Sequence, residues 1–191
     1  IGPEIDDIVA SFWQQGIPTV YIDRDTDGQH KAVSVIATDN YQAGRKAGQK
    51  MGKALSGQGN IAILRLKKGI TSTDKRESGF YDAVTQAGLK VTVDEHIGVN
   101  VGDAYQNTKK IIAKISDIQG IFTPNETTTA GVFKALDSAG IELRPVHIGF
   151  DLSPTIVKGI QSNAIHGVII QDPFAMGYEG VNTVMKARTG K

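Results

Sequence analysis

Val146-His147-Ile148-Gly149-Phe150-Asp151 decides the fold. The segment opens on apolar and β-branched residues and closes on a glycine, a phenylalanine and one carboxylate. A short apolar run bounded by turn residues reads as a buried strand, here one that ends in an acid. Four other strands of the chain are expected to end in a similar way. In a sheet covered by helices on both faces, ligands bind beyond the carboxyl ends of the strands. Asp151 is therefore expected on the rim of a cleft.

Working outward, strand and helix patterns alternate along the whole chain. Ile5, Ile8, Val9 and Phe12 predict a helix over 4–15, closed by Gly16. Strands are expected at 18–22, ending in Asp23-Arg24, and at 33–36, followed by Thr38-Asp39-Asn40. Asp39 is a good N-cap for a helix running to about Leu55. Gly44, Gly48 and Gly52 share one face of that helix. They mark either close approach to a neighbouring backbone or simply a weak helix, since each glycine costs about 1 kcal/mol relative to alanine.

A strand at 61–66 leads through a polar loop at 69–74 into a helix at 75–87, with Phe80, Ala83, Val84 and Ala87 as its apolar stripe. One turn back from Phe80 that stripe reaches Arg76. An arginine on a buried face needs an anionic ligand or a structural ion pair. A strand at 91–97 follows, and Asp103 is expected to cap a helix carrying Thr108, Ile111, Ile112 and Ile115. The strand at 120–123 runs into Pro124-Asn125-Glu126 and a helix with Val132, Leu136 and Ala139. Past the opening segment, Ser153-Pro154 starts a short helix. A strand at 165–170 ends in Gln171-Asp172-Pro173, and a last helix covers 174–187. This order predicts an α/β fold with a doubly wound, mostly parallel sheet.

Composition narrows the function. Of 191 residues, 40% are hydrophobic and 21% charged, which suits an ordinary globular chain of one or two domains. A net charge of +1 without any basic run argues against nucleic acid as a partner. No apolar run approaches the roughly 20 residues of a membrane span. Cysteine is absent, so disulfides and thiolate metal sites are excluded. His30, His96, His147 and His166 lack ligand spacing, and no metal is expected. Neither G-x-G-x-x-G after a strand nor G-x-x-x-x-G-K-[ST] occurs, and there is no G-x-S-x-G elbow; no cofactor is expected. The abrupt start at Ile1-Gly2-Pro3 reads as a fragment or a processed chain.

The residues just past the strands are Asp23, Arg24, Asn125, Asp151 and Gln171, with Arg76 at a helix start. Carboxylates accept, guanidiniums donate and primary amides do both. That mixture suits a polyol, whose hydroxyls also donate and accept. Each residue alone reads equally as a loop cap; the weight lies in six of them on one edge. Asp23 and Asp151 also read as an acid/base pair, but their basic and amide neighbours fit a ligand held still.

Taken in order, Pro18-Thr19-Val20-Tyr21-Ile22-Asp23-Arg24, Thr38-Asp39-Asn40 with Ala43-Gly44, Arg76-Glu77-Ser78-Gly79-Phe80, Asn125-Glu126, Gly149-Phe150-Asp151 and Gln171-Asp172-Pro173 resemble the type I periplasmic sugar-binding proteins, close to the ribose-binding branch. These are the solute receptors of ABC importers. The resemblance implies two doubly wound lobes closing on a monosaccharide, with Asp23, Arg24, Arg76, Asn125, Asp151 and Gln171 as ligand contacts. It implies a partial amino-terminal lobe at 1–38 and 172–191 and a carboxyl-terminal lobe at 39–171, the chain being truncated at both ends. It implies delivery of a pentose or hexose to a membrane permease, with a chemoreceptor as a second partner. The location implied is periplasmic, or lipid-anchored outside a Gram-positive cell. Gly98-Val99-Asn100 stands where ribose receptors usually offer an aromatic stacker, so the sugar is expected to differ from ribose. The alternative is the effector core of a lactose-repressor-type regulator. Gly57-Gln58-Gly59-Asn60, in place of that group's Gly-His-Arg-Arg-like turn, favours the receptor. A sugar-modifying enzyme is a third reading.

Overall fold

The structure, a computed structural model, describes residues 3–23, 32–115, 117–141 and 144–190. The elements run α1 (Pro3–Gln14), β1 (Val20–Ile22), β2 (Ser34–Ile36), α2 (Asn40–Ala54), β3 (Asn60–Arg65), α3 (Thr71–Gln86) and β4 (Lys90–His96). They continue α4 (Val101–Ile111), β5 (Gly120–Phe122), α5 (Glu126–Ser138), β6 (Val146–Phe150), α6 (Pro154–Gln161), β7 (Gly167–Ile169) and α7 (Pro173–Thr189). They fall into two units, one made of Ile1–Asp39 and Gln171–Lys191, the other of Asn40–Ile170.

The larger unit is a parallel sheet in the order β4-β3-β5-β6-β7. The period-2 alternation of β3 explains its two-sided cover. Ile61 and Ile63 pack with Ala43, Ala47 and Met51 of α2 and Phe80 and Val84 of α3. Ala62 and Leu64 face the opposite way, onto Ala104 of α4 and Val132 and Leu136 of α5. All four of these strand residues are fully buried, as a strand covered on both faces must be. The sheet is therefore doubly wound. The strand order reverses between β3 and β5, and ligands of such sheets bind outside the strand ends at that switch point.

The α2–α3 pair carries the glycine face. A Cβ on Gly44 would lie 2.7 Å from the carbonyl carbon of Arg76, and one on Gly48 2.8 Å from the Phe80 oxygen. Close approach of α2 to α3, to the α3 backbone at Gly44 and Gly48 and to the Ala87 methyl at Gly52, is what those glycines serve, not a weak helix. Ser153 caps α6 and Pro154 sits in its first turn, as the sequence predicts.

Two helix starts differ from expectation. α3 begins at Thr71, four residues before the expected 75. Asp74 sits inside the first turn, where its carboxylate accepts from the Gly69 N–H at 3.0 Å, and Thr73 donates to the Ile70 carbonyl at 3.1 Å. Acids and hydroxyls read as loop residues here satisfy backbone groups at a helix start. The cap of α4 is Asn100 and not Asp103: its side chain accepts from the Asp103 N–H at 2.9 Å and donates back to the Asp103 carboxylate at 2.7 Å.

The smaller unit pairs β1 with β2 in parallel. Gly180 of α7 lies against Ile22, where a Cβ would come within 2.8 Å of its Cδ1. Phe174, Tyr178, Val181 and Met185 recur at helical spacing along α7, and all are more than half exposed.

Candidate functional site

Arg76, in the first turns of α3, is the pivot of the larger unit's rim. It is only 3% exposed. A buried guanidinium is costly unless acceptors surround it, and here they do. Its Nε donates to Asn40 Oδ1 at 2.8 Å, and one terminal nitrogen donates to the Pro124 carbonyl at 2.9 Å. Its carbon lies 4.4 Å from the centre of the Phe150 ring. That ring meets Phe122 edge-on at 6.0 Å, and Phe122 stacks on Phe80 at 4.0 Å. An aromatic column rising from the core thus supports the cation from below.

Asp151 follows β6 immediately. Its carboxylate stands 3.9 Å from Arg76, with the side chain a quarter exposed. Its φ is +64°, and its N–H bonds to the Ile169 carbonyl at 2.9 Å. A left-handed backbone disfavours most side chains but is tolerated by aspartate and asparagine. Asn125, just past β5, caps α5: its Oδ1 accepts from the Thr128 N–H at 3.2 Å and the Thr128 hydroxyl at 2.7 Å, and its Nδ2 donates to Thr127 at 3.0 Å. The loop-cap role weighed from sequence is real for Asn125. The structure brings Arg76, Asn125 and Asp151 together at the ends of neighbouring strands, because Arg76 bonds the residue before Asn125 and pairs with Asp151.

In the smaller unit, Asp23 repeats the local geometry of Asp151. It follows β1, has φ +70°, and its N–H bonds to the Ile36 carbonyl at 2.9 Å. Gln171 Oε1 accepts from the Thr38 hydroxyl at 3.0 Å. Arg24 lies outside the described residues.

Sequence reading missed the burial of two ionisable groups. Glu77, next to Arg76, is 2% exposed and pairs with Arg65 at 2.6 Å. Arg65 also pairs with Asp94. Burial pushes the Glu77 carboxyl up to about 7, against the opposing pull of Arg65. His147 is fully buried, and burial, with His166 nearby, holds its imidazole down at about 3. Among the described residues no group of three or more metal-ligating side chains gathers.

These two groups predict opposing pH effects. His147 is neutral in the fold and takes a proton on unfolding. Its contribution to stability is complete above its ordinary value of 6.5 and is lost as pH falls toward about 3. Below about pH 7 Glu77 keeps its proton in the fold, so its contribution is complete below its ordinary 4.5 and is lost as pH rises toward about 7. Each gives a slope of at most about 1.4 kcal/mol per pH unit. Between pH 4.5 and 6.5 the two offset each other. Glu77→Gln is expected to remove the offset, so that stability falls steeply on acidification through this window. Urea denaturation across that range checks it; slopes parallel to the wild type would contradict the assignment.

A family model described as a periplasmic binding protein domain matches residues 2–191. The chain belongs to this family. Among similar proteins, the ribose import binding protein of Haemophilus influenzae is 26% identical over 187 residues, 98% of this chain and 63% of its own length. The D-apiose import binding protein of Paraburkholderia graminis is 27% identical over 172 residues, 90% of this chain and 55% of its own. The chain thus spans less than two thirds of these curated relatives. The crystal structure of the periplasmic component of an ABC-type sugar transport system from Hahella chejuensis superposes with a TM-score of 0.90 at 31% identity, covering 98% of this chain and 69% of that one. The two curated relatives are import binding proteins.

Proposed function

We propose that this periplasmic binding protein chain holds a monosaccharide, a pentose or hexose, for delivery to the permease of an ABC-type importer, and that it does so without catalysis. The observation that carries the reading is the cluster of Arg76, Asn125 and Asp151 outside the switch point of the larger sheet. A fixed guanidinium donor, a carboxylate acceptor and an amide match hydroxyls that both donate and accept. Hydrogen bonds to such charged groups contribute roughly 1.5–3 kcal/mol each. Asp23, Arg24 and Gln171 belong to the same set through the resemblance. In this reading, 1–38 and 172–191 are part of an amino-terminal lobe and 39–171 form the carboxyl-terminal lobe. The exposed apolar stripe of α7 supports that reading, because an isolated helix face of this kind ordinarily packs on another element. A periplasmic or lipid-anchored location goes with it.

Native mass spectrometry of the protein as purified, followed by calorimetry against a panel of pentoses and hexoses, tests the reading. The expected result is one sugar bound with a Kd of about 1 μM or tighter, equivalent to about 8 kcal/mol. Absence of binding across the panel would overturn it. Conversion of the sugar on prolonged incubation would replace it with an enzymatic reading.

A further inference from the structure

We propose that Thr129 is a positioning residue of the sugar rim, holding Asn125 and Asp151 in register without touching the ligand. The inference rests on reading that rim as a sugar site. β5 stops pairing with β6 at Phe122, opposite Ile148. Two residues further along β6, the Phe150 N–H lies beyond the last β5 partner. A buried N–H left unpaired is costly. Thr129 of α5 supplies the acceptor, its Oγ1 3.2 Å from the Phe150 nitrogen. The same hydroxyl donates to the Asn125 carbonyl at 2.7 Å. One oxygen thus ties the Asn125 carbonyl to the N–H of Phe150, the residue before Asp151.

The arrangement is built, not incidental. Thr129 is fully buried. A Cβ on Gly149 would lie 2.7 Å from its Oγ1, so the glycine of Gly149-Phe150-Asp151 leaves the space the threonine fills. Thr123 Oγ1 lies 2.9 Å from Thr129 Oγ1 and 2.9 Å from His147 Nε2. Because the Thr129 proton goes to Asn125, Thr123 donates to Thr129 and accepts from His147 Nε2–H. That leaves His147 Nδ1 as the bare nitrogen, in keeping with its having no hydrogen-bond partner among the described residues. The hydrogen bonds run one way, from imidazole to hydroxyl to hydroxyl to the Asn125 carbonyl, and bonds so aligned strengthen one another.

Calorimetry on wild type, Thr129→Val, Thr129→Ser, Thr123→Val and Thr108→Val tests this. Thr108 is the control: it is also fully buried in the larger unit, but its hydroxyl meets no hydrogen-bond partner among the described residues. Thr129→Val is expected to weaken sugar binding roughly tenfold and Thr123→Val about threefold, the scale of one lost hydrogen bond or less. Thr129→Ser is expected to restore affinity to within about twofold, because it keeps the oxygen. Thr108→Val is expected to leave affinity unchanged. Amide exchange at Phe150 should quicken in Thr129→Val and recover in Thr129→Ser. If Thr129→Val fails to fold, Thr123→Val and Thr129→Ser still decide: unchanged affinity in the first, or a large loss in the second, overturns the role. If wild type binds sugar, Asp151→Asn does not and Thr129→Val matches wild type, the positioning role alone falls. If wild type binds no sugar, the reading of the rim falls and this inference with it.

Discussion

Asp151→Asn is expected to cut monosaccharide affinity by at least about 100-fold while moving the unfolding midpoint by only a few degrees. The two effects separate for physical reasons. Asparagine tolerates the left-handed φ of +64° as aspartate does, so the backbone at this position need not change. Alanine there would add about 1–2 kcal/mol of backbone cost and blur the result. Arg76 loses a carboxylate 3.9 Å away but keeps Asn40, the Pro124 carbonyl and the Phe150 ring. Its burial therefore remains satisfied. A sugar held as proposed would lose more, because charge-assisted hydrogen bonds of roughly 1.5–3 kcal/mol each would be weakened or reversed when a carboxylate oxygen becomes an amide. Calorimetry paired with thermal unfolding checks this. Wild-type affinity in the variant would remove Asp151 from the site.

What the sequence made legible is what local chemistry controls. Strands end where glycine, proline, asparagine and aspartate appear, so Asn125 and Asp151 could be placed past strand ends before any coordinates. Arg76 stood out because it continues the stripe of Phe80, Ala83 and Val84, and its near-complete burial follows from that helical phase. The helix starts were misjudged where one residue type serves two roles. Thr73 and Asp74 suit a loop and a first turn equally, and only the Gly69 N–H meeting the Asp74 carboxylate decides. The hydroxyls were not legible at all. Thr127, Thr128 and Thr129 form one polar run at a helix start, and which of them faces β6 depends on how α5 lies on the sheet. Glu77 was missed for a similar reason. Its burial depends on Arg65, a β3 residue twelve positions earlier, which the fold returns to its side. His147 is buried because β6 is covered on both faces, and nothing local revealed that Thr123 would receive it.

Gly44→Ala is expected to destabilise the larger unit by about 3 kcal/mol or more, among the largest effects of any single added methyl. In an isolated helix this change would stabilise by about 1 kcal/mol, since alanine is the better helix former. Contact reverses the sign. The added carbon would lie 2.7 Å from the Arg76 carbonyl carbon and 2.9 Å from its Cα, and closer still to its oxygen. These are backbone atoms, which cannot turn aside as a side chain can. The interlock is reciprocal, because a Cβ on Gly79 of α3 would come within 3.0 Å of the Tyr41 carbonyl carbon on α2. Separating the helices would lift Ala43, Ala47 and Met51 away from Phe80 and Val84. It would also displace the backbone that carries Arg76, so sugar affinity should fall together with stability. Gly177→Ala on α7 supplies the contrast: a Cβ there meets nothing among the described residues within 4 Å, and the ordinary helix preference should give a gain of up to about 1 kcal/mol. Denaturant unfolding of both variants reads the opposite signs. A stabilised Gly44→Ala would mean that α2 and α3 do not approach as closely as described, and with it would go the account of how Arg76 is held.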